Sequence, residues 1–400
     1  MRSDIRRDFP MIANDLVYLD SAATSYKPVS VIETISKFYS CHYSTVNRAV
    51  YASARQTTEA YQKVREKVCR LIHAANPEEI IYTRGTTDAI NLVAASFGKA
   101  FVKPGDEIII SELEHHSNIV PWQLLCQDRG AVLRVIPALD DGTLSISALE
   151  EILSDKTRLV AVAHISNAIG THHPVEQICR LAHAKGAKVL VDGAQAIAQT
   201  VVDVQKLGCD FYAFSGHKLF GPTGIGVLWG KKELLEAMPP YQGGGDMIEK
   251  VTFEKTSYAP IPTKFEAGTP SIAQILGLGA AIDYIQEIGM AEIEKWDQTL
   301  LAYATQKLQA IEEVHILGSA PLKGGILSFV VEGVHHLDLG TFLDLKRIAV
   351  RTGHLCAQPA MARFGVEGCT RASFAFYNTL AEVDLFAGAL KQVIQKLIPK

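Results

Sequence analysis

Disulfide and zinc frameworks are missing from this chain. Its seven cysteines (Cys41, Cys69, Cys126, Cys179, Cys209, Cys356 and Cys369) are odd in number, widely spaced and never arranged C-x-x-C. That usage fits reduced thiols, and all but Cys356 are expected to be small buried hydrophobes. No apolar run approaches the roughly 20 residues that span a bilayer, so no membrane partner is expected. The start, Met1 to Asp8, lacks an apolar signal core, which predicts a cytoplasmic protein. A formal net charge of -4 without any basic block excludes a nucleic-acid partner. No G-x-G-x-x-G opens a helix after a strand. Gly230-Lys231-Lys232 has Lys where a phosphate-binding loop needs Ser or Thr, so nucleotide binding is excluded as well. Internal repeats and low-complexity segments are also absent.

What is present is 48% hydrophobic residues in a chain of 400, enough for a large core and two or three domains. Strand-like apolar runs at Ile80-Tyr82, Glu107-Ile110, Val132-Ile136, Leu159-Ala163, Lys188-Val191, Phe211-Phe214 and Ile225-Leu228 alternate with helical patterns. The helical patterns lie at Thr87-Ala100, Ile119-Asp128, Val175-Ala184 and Lys231-Ala237. This predicts an α/β fold: a large domain whose mostly parallel sheet is covered by helices on both faces. From about Ser271 the texture changes. A helical pattern over Ala291-Ile311 leads into strands at Ile326-Val331, Ile348-Arg351 and Thr370-Phe374, between helices at Leu337-Leu345 and Glu382-Leu397. That reads as a smaller α+β domain. The expected division is 17-270 for the large domain, with 1-16 and 271-400 forming the small one. Pro239-Thr269, with Gly243-Gly244-Gly245, reads as a long functional loop.

Two apolar runs end in chemistry. Val189-Leu190-Val191 is followed by Asp192-Gly193-Ala194-Gln195, and Phe211 to Phe214 by Ser215-Gly216-His217-Lys218. Ligands of open α/β sheets bind at the carboxyl ends of strands. An amine and an acid placed there are what pyridoxal phosphate needs: Lys for the Schiff base, Asp to keep the ring nitrogen protonated. A lysine is more often a solvated surface group, but this one sits in a tight polar loop between apolar strands. Gln195 is a candidate ligand of the cofactor's phenolic oxygen. Arg84-Gly85-Thr86-Thr87 precedes an amphipathic helix, and a helix start is an anion site. Ser215 and His217 offer further donors to a phosphate. Glu114-His115-His116-Ser117-Asn118 offers a histidine for ring stacking and proton transfer; no third ligand at zinc spacing accompanies the pair, so no metal site is expected. Asn167, after another strand, is a candidate contact to cofactor or substrate. Arg371 suits a substrate carboxylate. Cys356, in the polar loop Arg351-Thr352-Gly353-His354-Leu355-Cys356-Ala357-Gln358-Pro359 and flanked by Arg351 and His354, is placed to be a reactive thiolate.

Taken in order, Tyr18 to Ala23, Thr83 to Thr87, Glu114 to Asn118, Val191 to Gln195, Ser215 to Lys218, Phe265 to Pro270 and Arg351 to Pro359 closely resemble the group II cysteine desulfurases of SufS/CsdA type. These are fold type I pyridoxal phosphate enzymes of the class V aminotransferase superfamily. The resemblance implies that L-cysteine is converted to L-alanine. It implies Lys218 as the Schiff-base lysine, Asp192 as the ring-nitrogen partner and Gln195 on the phenolic oxygen. It further implies His116 stacked on the ring and acting in catalysis, with Thr86, Thr87, Ser215 and His217 on the phosphate. Thr269 would come from the neighbouring subunit of a homodimer. Asn167, Arg351 and Arg371 would bind substrate. Cys356 would carry the sulfur as a persulfide to a SufE-like or SufU-like acceptor for iron–sulfur assembly. Selenocysteine lyase and class V aminotransferase activities are the alternatives. The chain departs from the family pattern at Leu355, where a second His is usual, and at Asn47, Ala49 and Tyr51.

Overall fold

The computed structural model describes residues 4–398. A short strand, β1 (Val17–Tyr18), precedes the seven strands of the main sheet. These are β2 (Ile80–Thr83), β3 (Glu107–Ser111), β4 (Val132–Ile136), β5 (Thr157–Ala163), β6 (Lys188–Asp192), β7 (Phe211–Ser215) and β8 (Gly226–Gly230). Their spatial order is β2-β8-β7-β6-β5-β3-β4. All run in one direction except β8, which is antiparallel to both of its neighbours.

Each interior strand is apolar on both sides, and its side chains alternate between two cores. Ile109, Val160, Val162, Val189, Val191, Tyr212 and Phe214 face one core. Ile108, Ile110, Leu159, Ala161, Leu190, Phe211 and Ala213 face the other. Helices Ala52–Leu71, Val175–Ala184 and Ile272–Ile288 cover the first face, and helices Thr86–Phe101 and Val120–Arg129 the second. The edge strand β4 differs: it leaves Val132 and Val135 exposed.

Beyond the main sheet, β9 (Ile248–Val251) and β10 (Thr256–Tyr258) form a hairpin inside the stretch expected to be loop, with Phe253 fully exposed near its tip. Then β11 (Val314–Ile316), β12 (Ile326–Val331), β13 (Ile348–Ala349), β14 (Arg351–Gly353) and β15 (Cys369–Ser373) follow. Four of them make an antiparallel sheet in the order β11-β12-β15-β14, while β13 pairs in parallel with β1. Helix Leu380–Leu397 closes this unit with a capping box at Thr379 and Glu382.

Two long helices carried no sequence expectation. The buried positions of Ala52–Leu71 recur at helical spacing (Ala54, Thr57, Tyr61, Val64, Val68 and Leu71), but the helix is polar overall and buries Thr57 and Arg65, which masks the stripe. Ile272–Ile288 is apolar nearly all round and shows no stripe, the mark of a buried helix. No described helix is long and apolar enough to cross a membrane.

Candidate active site

The carboxyl ends of β5, β6 and β7 open onto a cavity of about 290 Å³. Its wall includes Thr86 and Thr87, Asp192 and Gln195, Ser215, His217 and Lys218. Asn167, Arg351, Cys356 and Arg371 lie on the same wall. Residues far apart in sequence therefore share one small space.

The sheet places the first group. Asp192 ends β6 and Ser215 ends β7, on neighbouring strands. The Thr86 N–H donates to Ser215 Oγ at 2.8 Å, so the start of helix Thr86–Phe101 is docked on the end of β7. The docking needs Gly226, because a Cβ there would collide with the Gly85 backbone. Thr86 and Thr87, in the first turn of that helix, line the cavity beside Ser215, and a helix start with free N–H groups favours an anion.

Burial sets the electrostatics. Asp192 is 5% exposed, and burial pushes its carboxyl up while the Ala194 N–H, donating at 2.9 Å, and the Lys218 charge pull it down. Burial lowers Lys218 to about 8 against the opposing charge of Asp192. His217 falls to about 4 through burial and the charges of Lys218 and Lys27, so it is neutral at pH 7. Gln195 donates to the Ala22 carbonyl at 2.8 Å.

On the opposite wall, Arg371 is 3% exposed. Its Nη1 donates to the Asn167 carbonyl at 2.7 Å and its Nη2 reaches Asp20 at 3.3 Å. Its Nε–H is buried without an acceptor, which leaves one donor of the guanidinium unused. Arg351 is half in solvent and pairs with Asp20 at 2.5 Å.

Cys356 is exposed and stands with Leu355 in consecutive left-handed conformations, at φ of 53° and 55°. Both peptide carbonyls are held: Asn167 Nδ2 donates to that of Leu355 at 2.8 Å, and the His116 N–H to that of Cys356 at 2.7 Å. The Leu355 side chain is buried in the main core.

Two expectations, those for His116 and Cys41, need correction. His116 is not on the cavity wall; His115 is. The backbone at His115 is extended, so the two rings diverge, and His116 turns to the Cys356 loop, where its Nε2 accepts from the Gln358 N–H at 3.1 Å. Burial and the Lys218 charge hold His115 near 4, hence neutral. Thr269, expected from a neighbouring subunit, lies in a separate cavity of this chain with Arg84 and Gly268. Cys41, expected to be buried, is exposed.

Three contributors carried no expectation. Asp20 bridges both arginines, and its only signal was an acid just after β1. Glu114 accepts from Ser111 Oγ, from Asn118 Nδ2 at 2.6 Å and from the Ala163 N–H at 3.0 Å, and burial raises it to about 8. Lys27 Nζ donates to the His217 carbonyl at 2.8 Å, and burial lowers it to about 7.

An amine and an acid at the ends of a predominantly parallel α/β sheet define a class. The family model described as Aminotransferase class-V matches residues 17–386, and the chain belongs to this family. More narrowly, it is 49% identical over 395 residues to the cysteine desulfurase of Dickeya dadantii, covering 97% of this chain and 96% of that one, and it sits among the cysteine desulfurases of the family. A Synechococcus elongatus cysteine desulfurase is also 49% identical over 97% of this chain, which spans 63% of that relative's length. The crystal structure of the Escherichia coli cysteine desulfurase CsdA superposes with a TM-score of 0.94 at 40% identity, covering 99% of both chains.

Proposed function

We propose that this enzyme moves the sulfur of L-cysteine onto Cys356 as a persulfide, releases L-alanine, and passes the sulfur to an acceptor protein of SufE-like or SufU-like kind for iron–sulfur assembly. The observation that carries this reading is one cavity lined by Lys218, Asp192, Arg371 and Cys356 together. Enzymes of this family use pyridoxal phosphate. The residues present fit it: an amine, a buried acid, a hydroxyl-lined helix start and a guanidinium N–H without an acceptor.

Lys218 Nζ would hold the cofactor's aldehyde carbon, and Asp192 its ring nitrogen. Gln195 would bind the phenolic oxygen, and Thr86, Thr87, Ser215 and His217 the phosphate. His115, rather than His116, would stack on the ring. Thr269 would be supplied by the second subunit of a homodimer. When bound, the cofactor supplies an electron sink for charge that develops at the substrate Cα.

The chain's own residues do the rest. Arg371 and Asn167 orient the amino acid, with Arg351 at the mouth. Lys218, lowered to about 8, is partly free base near neutral pH and takes the Cα proton. The Cys356 thiolate attacks the substrate sulfur: a new S–S bond forms, the Cβ–S bond breaks, Cβ gains a proton, and Lys218 returns a proton to Cα as alanine forms. His115, held neutral by burial and the Lys218 charge, would lie against the cofactor's ring. The setting we propose for this chemistry is cytoplasmic.

The test separates the roles. Lys218→Ala should remove both the visible cofactor band and alanine formation. Cys356→Ala should keep the band and lose the enzyme persulfide. Wild-type desulfuration by Cys356→Ala overturns the proposal. Rates on selenocysteine against cysteine, and alanine formation without a keto acid, decide against the lyase and aminotransferase alternatives.

A further inference from the structure

We infer that His116, His354 and Cys356 form a binding site for a thiophilic divalent cation of the Zn²⁺ class, which caps the Cys356 sulfur and reversibly blocks sulfur transfer. One ligand atom from each side chain lies within 4.8 Å of the other two. Two imidazole nitrogens and a thiolate are a zinc donor set, and three protein ligands leave a fourth position open.

The rings are already aimed. His354 Nδ1 accepts from the Cys356 N–H at 3.1 Å, and His116 Nε2 accepts from the Gln358 N–H at 3.1 Å. Both lone pairs thus point at the backbone flanking the Cys356 side chain. A cation would replace two amide protons at those lone pairs. The rings lie 5.5 Å apart, centroid to centroid. Tetrahedral zinc, with bonds of roughly 2.0–2.3 Å, needs the ligand atoms about 1 Å closer than their present limit. His354 and Cys356 are exposed and free to make that adjustment, while His116 stays anchored by its N–H to the Cys356 carbonyl at 2.7 Å. Leu355, where the family usually has a second His, turns its side chain into the core and offers no competing ligand. The ligands come from two loops remote in sequence, which is why no spacing motif announced them.

Binding forms one Zn–S and two Zn–N bonds and releases the thiol proton to solvent. The capped sulfur has given its nucleophilic lone pair to the metal, so it cannot attack substrate. The block rests on the role proposed for Cys356; the binding does not.

The holoenzyme, without cysteine, is titrated with Zn²⁺ against a chelating indicator and with Co²⁺, whose thiolate charge-transfer and d–d bands report coordination. One tight equivalent per chain with a four-coordinate thiolate spectrum is expected. Cys356→Ser and His354→Ala should each weaken binding by roughly tenfold or more. Cys41→Ser, which removes the other exposed thiol, should not change it. His354 is exposed, so its variant should fold normally, and circular dichroism checks this. Zinc should stop alanine formation, and a chelator should restore it. No tight equivalent, or affinity unchanged in His354→Ala, or affinity lost in Cys41→Ser, overturns the inference. Zinc binding as expected alongside full desulfuration by Cys356→Ser would leave the site standing and sink the proposed function instead.

Discussion

Adjacent histidines meet opposite fates in this protein, and one peptide unit decides it. His115 is extended and lines the cavity beside Lys218; His116 begins the next turn and belongs to the Cys356 loop. His115→Ala should therefore cut alanine formation by about 10²–10⁴-fold, the range of a general acid–base group, and perturb the cofactor's absorbance. His116→Ala should leave cofactor affinity and absorbance unchanged and alter only the Cys356 loop. Cofactor titration and single-turnover alanine formation on both variants give the check, and a cofactor effect confined to His116→Ala refutes the assignment. Asp20 teaches a related lesson. It keeps two guanidiniums near one another by accepting from both Arg351 and Arg371, which would otherwise repel across the cavity.

Turns as well as strand ends hold the side chains of the cavity in register. The turn over residues 111–118 is strapped to the end of β5 by Glu114, whose folded value near 8 lies above its ordinary 4.5. The sign follows from linkage. The folded state holds the proton between about 4.5 and about 8, so this stabilisation is complete below that window and fades as pH rises through about 8. Glu114→Gln should flatten the loss of melting temperature between pH 6 and pH 9; an unchanged slope would show that Glu114 does not titrate there.

The loop carrying Cys356 is a second such turn. Two successive left-handed non-glycine residues cost on the order of 1–2 kcal/mol each, and the Asn167 and His116 bonds to their carbonyls oppose the relaxation. Asn167→Ala should raise amide hydrogen exchange at residues 355–357 selectively, with the main-sheet amides unaltered. Exchange that rises everywhere would point instead to global destabilisation.

At the scale of the whole molecule, one aromatic cluster joins segments that meet only in the fold. Phe9, 1% exposed, packs edge-on against Phe220, Tyr284, Phe376 and Tyr377. Phe220 follows Lys218 by two residues, so this cluster also supports the active-site turn. Phe9→Ala should cost about 3–5 kcal/mol by leaving a cavity, read as a lowered denaturation midpoint; a cost under about 1 kcal/mol would show that the N-terminal segment contributes little. We propose that 17-270 forms the cofactor domain and that 1-16 with 271-400 forms the smaller one. Helix Ile272–Ile288 nonetheless buries its side chains in the core of the main sheet, and β1 pairs with β13 beyond it, so the two units are tied on both sides of that boundary.

Much of this was legible in the sequence, for a physical reason. Interior parallel strands must be apolar on both faces, so Lys188–Asp192 and Phe211–Ser215 stand out as runs, and the first polar residues after them are where ligands bind. Asp192, Lys218 and the mainly parallel sheet follow from local composition alone. The long helices Ala52–Leu71 and Ile272–Ile288 were not legible, because one is polar overall with Thr57 and Arg65 in its buried stripe and the other has no stripe. What tertiary structure decided is which neighbour of a pair faces the cavity, which acid organises the two arginines, and that His116, His354 and Cys356 converge. Those facts depend on side-chain direction and on contacts between segments far apart in sequence. Composition and spacing encode the local energetics of a segment, whereas such contacts exist only once the sheet has brought its ends together.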